Sequence, residues 1–81
     1  MIQSNTHLYQ EINKIIAVLK QSGEIVYAKK LDDALSVSTV PSEVLGELRL
    51  VLLELHETKL LDELKIKIAV SDSLKYINTI L

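Results

Sequence analysis

Apolar residues recur along this chain at helical spacing. From about Thr6 to Gln21, Leu8, Ile12, Ile15, Ile16 and Leu19 stand three or four residues apart. That spacing puts them on one face of a helix. Gln10, Asn13, Lys14, Lys20 and Gln21 fill the other side. Asn5 or Thr6 is suited to cap the free N–H groups at the start. Ser22-Gly23 ends the segment, with Gly23 free to take the left-handed conformation of a C-terminal cap. A second helix is expected from about Glu24 to Ser36, with Tyr27, Ala28, Leu31, Ala34 and Leu35 inward and Lys29, Lys30, Asp32 and Asp33 outward. The link between the two is short enough to make an antiparallel hairpin. The stretch SVSTVPS then breaks the pattern, and its Pro41 suits the first turn of a third helix.

That third helix reads SEVLGELRLVLLELHE, Ser42 to Glu57. At about 100° per residue, Val44, Leu45, Leu48, Val51, Leu52 and Leu55 form a broad apolar arc. Glu43, Glu47, Glu54 and Glu57 share the opposite face, with Leu50 among them, while Gly46 and Leu53 sit along a flank. Glycine inside a helix costs about 1 kcal/mol relative to alanine. The close approach of a neighbouring backbone is the expected return for Gly46.

The last third supports two periods. As a helix, Leu60, Leu61, Leu64 and Ile68 share a face and Ile66 and Val70 project from another, as a second candidate surface or as contacts under the last helix. As a strand, Leu64, Ile66, Ile68 and Val70 alternate with Lys65, Lys67 and Ala69. No second strand is in view to pair with it, and a lone edge is a liability, so the helix is the preferred expectation for residues 64–70. Ser71, Asp72 or Ser73 could then cap a short final helix carrying Leu74, Ile77 and Ile80 or Leu81. The fold class expected is all-α: a compact bundle of four to five mostly antiparallel helices, one domain over residues 1–81, with the third helix central.

Composition narrows the chemistry. Apolar residues make up 48% of the chain, but only three tyrosines are aromatic, so the core must be aliphatic. There is no cysteine, which removes disulfides, thiolate metal sites and thiol nucleophiles. A net charge of −2 does not suit nucleic acid or an anionic membrane surface as partner. The N-terminal MIQSNTHLYQ lacks the basic-then-apolar order of a signal peptide, and no apolar run approaches the roughly 20 residues of a membrane span. A cytoplasmic location is the expectation.

No catalytic or cofactor constellation emerges. Glu54, His56 and Glu57 are close in sequence, but adjacent side chains diverge by about 100° on a helix, and the only other histidine is His7. The serines stand where caps and turns are expected, and no Gly-x-Ser-x-Gly elbow is present. Neither cofactor nor metal is expected, nor an enzyme. What remains is surface. The row Glu43, Glu47, Leu50, Glu54 and Glu57 is either a solvated face or an electronegative patch for a basic protein, with Asp32 and Asp33 as a second acidic patch.

The run LYQEINKIIAVLKQSGEIVYAKKLDDALS followed by SEVLGELRLVLLEL resembles small bacterial helical proteins of immunity-protein type. In that pattern a helix ending near a glycine leads into Ala-x-x-Leu-x-x-Ala-Leu, then a Leu-rich helix opened by Ser-Glu. The matching positions here are Gly23, Ala28, Leu31, Ala34, Leu35, Ser42, Glu43, Leu45 and Leu48. They cover about the first two thirds of the chain and are mostly core positions, and the last third has no counterpart in the pattern. The resemblance implies a cytoplasmic immunity protein, such as those of contact-dependent growth inhibition. Such a protein binds a toxin domain, here a basic nuclease, and occludes its active site without catalysis of its own. The alternative is a homo-oligomeric helical structural or regulatory module using Leu50, Leu53, Ile66 and Val70, for which a homodimer is the simplest form.

Overall fold

A computed structural model describes residues 1–81. It contains five α-helices and no strand: α1 (Asn5–Gln21), α2 (Ile25–Leu35), α3 (Pro41–His56), α4 (Leu60–Glu63) and α5 (Lys67–Ile80). Each boundary has a local cause. Ser4, rather than Asn5 or Thr6, caps α1, its hydroxyl accepting the His7 N–H at 3.1 Å. Gly23, at φ +81°, closes α1 with paired bonds: Glu24 N–H to the Leu19 carbonyl at 2.8 Å and Gly23 N–H to that of Lys20 at 3.1 Å. This is the left-handed C-terminal cap expected from Ser22-Gly23. Pro41 occupies the first turn of α3, where its missing N–H is no loss.

α1 packs against α2 and α5, and α3 packs against the same two helices. The four long helices therefore close a ring, with α1 diagonal to α3 and α4 tucked between α3 and α5. α2 and α3 run antiparallel: Lys30 Nζ, from the middle of α2, meets Glu54 Oε2 near the end of α3 at 3.1 Å, and the 36–40 connection joins the opposite end of α3 to α2. Between α1 and α5 the Tyr76 hydroxyl donates to Asn5 Oδ1 at 2.7 Å, joining the end of one helix to the start of the other. The core is a single cluster of 19 residues, every one of them Leu, Ile, Val or Ala. The tyrosines rim it: Tyr9, Tyr27 and Tyr76 are half-buried against it, as is Leu35.

α3 buries the whole expected arc, Val44, Leu45, Leu48, Val51, Leu52 and Leu55, more residues than any other helix. It is not central, however. In a four-membered ring it is a corner, so one side reaches the core and the other stays open.

The last third is helical rather than a strand, as preferred, but its break and its buried faces differ from those expected. Residues 64–66 form a break, with Lys65 in the left-handed region at φ +57°. The Ile66 N–H reaches the Leu61 carbonyl at 3.0 Å and the Lys65 N–H that of Asp62 at 3.3 Å, the same paired cap that Gly23 makes. Rotation at this cap turns Ile66 and Val70 into the core, where they are 5% and 0% exposed, and turns Ile68 out to 77%. Ile66 and Val70 are therefore no surface, and Ile68 shares no buried face with Leu61. α5 begins at Lys67, so Ser71, Asp72 and Ser73 lie inside it and cap nothing. Ser73 is fully buried and donates its hydroxyl to the Ala69 carbonyl one turn back at 2.8 Å. No helix is long and apolar enough to cross a membrane.

Candidate functional site

The open side of α3 carries the residues singled out in the sequence. Glu43, Glu47, Leu50, Glu54 and Glu57 are all exposed. Their spacing of four, three, four and three confines them to about 80° of the helix circumference. Glu57 is the C-cap and keeps helical dihedrals, φ −82° and ψ −2°, so it extends the row by one position. On the same wheel Gly46, Leu50, Leu53 and Glu57 point most directly away from the core. Glu43, Glu47 and Glu54 lie on the flank toward α2, and Arg49 and His56 on the flank toward α5.

Two shallow grooves meet on this face. One, of about 320 Å³, runs between α2 and α3; Lys30, Asp33 and Val37 line one side, Glu47, Leu50 and Glu54 the other. The second, of about 510 Å³, lies where the 36–40 connection passes α3, with Ser38, Glu43, Gly46 and Arg49 on its walls. They share Val37, Glu47 and Leu50. Asp33 thus joins the α3 carboxylates, whereas Asp32, also exposed, lines neither groove. The two aspartates are not one patch with the row.

The carboxylates are held differently. Glu54 is paired with Lys30, whose ammonium also sits 5.5 Å from the Tyr27 ring centre. Asp33 pairs with Lys29 at 3.5 Å. Glu43 Oε1 accepts the Ser38 hydroxyl at 2.7 Å, and Ser38 Oγ in turn accepts the Val40 N–H at 2.9 Å. This relay fixes the turn into α3, because Val40, at the N-cap position, has no side-chain acceptor to offer. Glu47 makes no ion pair and no side-chain hydrogen bond. Four carboxylates (Asp33, Glu43, Glu47, Glu54) face two cations (Lys30, Arg49) around the grooves, a net −2.

Gly46 does not do what its sequence context suggests. A Cβ at this position would meet no atom within 4 Å, so no neighbouring backbone approaches it. Val37 and Val40 are exposed at 52% and 47%, and Val37 lines both grooves beside Leu50. Sequence periodicity missed them because they fall outside any helix; two aliphatic residues in a serine-rich turn were the available sign. No three His, Cys, Asp or Glu side chains are arranged to hold a metal ion. Compared with protein-family models, curated proteins and solved structures, the chain finds no match.

Proposed function

We propose that this protein is an inhibitory binding partner, an immunity protein that neutralises a cognate toxin domain, most simply a basic nuclease. The observation that carries this reading is the gathering of Asp33, Glu43, Glu47 and Glu54 around two exposed grooves of α3 and α2, with Glu47 unpaired. Complementary fields of this kind speed encounter and select partners. A nuclease groove is basic because it holds phosphates, so an acidic helix laid over it would block substrate by both charge and bulk. The protein needs no chemistry of its own for this, and the resemblance of its first two thirds to immunity proteins points the same way. The setting would be the bacterial cytoplasm, where such inhibitors protect the producing cell.

Self-association is the second reading. Leu50 and Leu53 favour it, at 57% and 47% exposure. It loses Ile66 and Val70, which are core residues.

The test is recovery of tagged protein from its source cells with the toxin gene expressed, followed by mass spectrometry. A basic toxin fragment at equal stoichiometry supports the inhibitor. Glu47→Lys should then weaken the complex strongly, because Glu47 has no internal partner to lose and the fold should be untouched. Recovery of the protein alone, or a complex indifferent to Glu47→Lys combined with Glu54→Lys, refutes it. A sizing measurement showing a stable dimer would favour self-association.

A further inference from the structure

The geometry points to a specific occupant for the α3 face: an amphipathic helix of the partner protein, packed with an aliphatic stripe over Gly46, Leu50 and Leu53 and a lysine- or arginine-bearing flank along Glu43, Glu47 and Glu54. This inference rests on the inhibitor reading and narrows it.

Three observations converge. First, Gly46 sits in mid-helix with helical φ, in place of any residue that would stabilise α3, and nothing within the fold uses the space above it. A vacant position over a glycine lets a second backbone come close, and here only an outside chain can supply one. Second, Leu50 is 57% and Leu53 47% exposed, one and two turns along from Gly46 on the most outward strip. Third, the charge is uneven: Glu43, Glu47 and Glu54 lie on the α2 flank of that strip, where Lys30 pairs with Glu54 alone and Glu47 has no partner, while the other flank carries the cation Arg49. A basic flank on the incoming chain therefore has a defined side.

The occupant is a helix for a physical reason. α2 and α3 satisfy their own backbone groups, and the protein has no strand and so no sheet edge to offer. An extended peptide laid here would bring unpaired N–H and C=O groups to the contact, whereas a helix brings them already bonded. The row from Glu43 to Glu57 spans about 21 Å, the length of about 14 helical residues. An antiparallel second copy of this chain is disfavoured, since it would set the carboxylate flank against itself.

The probe is a synthetic peptide of about 15 residues, with leucines at i, i+3, i+4 and i+7 and lysines along one flank. A reordered peptide of the same composition and no amphipathicity is the control. Binding to ¹⁵N-labelled protein is followed by amide shift mapping. Saturable shifts centred on Val37, Gly46, Leu50 and Leu53 are expected, weakened about tenfold or more by Gly46→Leu. Gly46→Ala should melt higher than the parent and yet bind less tightly, a combination that a purely structural glycine would not give. Far-UV circular dichroism checks both folds. If Gly46→Leu fails to fold, Gly46→Ala decides the question alone. The inference is overturned by the absence of saturable binding, by equal binding of the reordered peptide, or by a Gly46 variant that binds as well as the parent. A dimer in sedimentation that Gly46→Leu dissolves overturns it in favour of a second copy. If a captured toxin domain is lost with Glu47→Lys but retained with Gly46→Leu, the inhibitor reading stands and the helix does not.

Discussion

Replacing Lys65 by glycine should stabilise this protein. Lys65 is exposed and stands at φ +57°, the conformation that Gly23 takes at the end of α1. A side chain in that region costs roughly 1–2 kcal/mol, because Cβ crowds the following carbonyl. Glycine removes the crowding but adds freedom to the unfolded chain, offsetting about 0.4–1 kcal/mol. The net gain should be about 0.5–1 kcal/mol. In a chain of this size that raises Tm by about 2–8 °C. Lys65→Ala keeps the crowding and should change little, while Lys65→Val should lower stability through its β-branch. Urea unfolding followed by circular dichroism reads all three, with an unchanged m-value showing that the native and unfolded surfaces are the same. The competing structure is one helix running unbroken from Leu60 to Ile80. It demands the opposite sign, because glycine in a helix interior costs about 1 kcal/mol. A Lys65→Gly variant that melts below Lys65→Ala would refute the cap and the core position of Ile66 with it.

Other substitutions test other joints of the bundle. Leu52→Ala, at a fully buried position of α3, should cost about 2–5 kcal/mol; in so small a domain, loss of cooperative thermal unfolding is the expected readout. Tyr76→Phe removes the hydroxyl that joins α5 to Asn5 and should cost about 0.5–1.5 kcal/mol in urea unfolding. Ser73→Ala should stay within about 1 kcal/mol of the parent by the same measurement, because the buried hydroxyl bonds only its own helix and leaves no orphaned donor behind. A double-mutant cycle on Lys30 and Glu54, whose side chains are 47% and 54% exposed, should show a coupling below about 1 kcal/mol that shrinks with added salt.

The pattern of apolar positions placed α1, α2 and α3 because each runs long enough for period 3.6 to show. The six buried residues of α3 are those of its apolar arc. The pattern failed where the helix axis changes without a break in hydrophobicity. Leu64, Ile66, Ile68 and Val70 alternate like a strand, but a left-handed lysine resets the helical phase between the first and the last three. Periodicity carries no mark for that, since the usual mark is glycine. Ser73 misled for a related reason: a serine can cap a helix or bond the carbonyl one turn back, and only packing decides. In the candidate site the α3 row was legible from spacing alone. Its relation to α2 was not, because separating Asp33 from Asp32 requires knowing how far α2 is rotated toward α3.

The closed ring of four helices predicts that most of the row can be varied without loss of the fold. Each long helix touches two other long helices, and α3 and α5 also hold α4 between them, leaving the third helix one open side. Stability is drawn from Val44, Leu45, Leu48, Val51, Leu52 and Leu55, and no residue of the acidic row belongs to that set. Glu43 is the exception in part, since its bond with Ser38 secures the turn into α3. Charge reversal there would mix a folding effect with a binding effect. Glu47 is free of that ambiguity, since it has no internal partner. Gly46 lies between Glu43 and Leu50, on the wall of the groove beside the 36–40 connection.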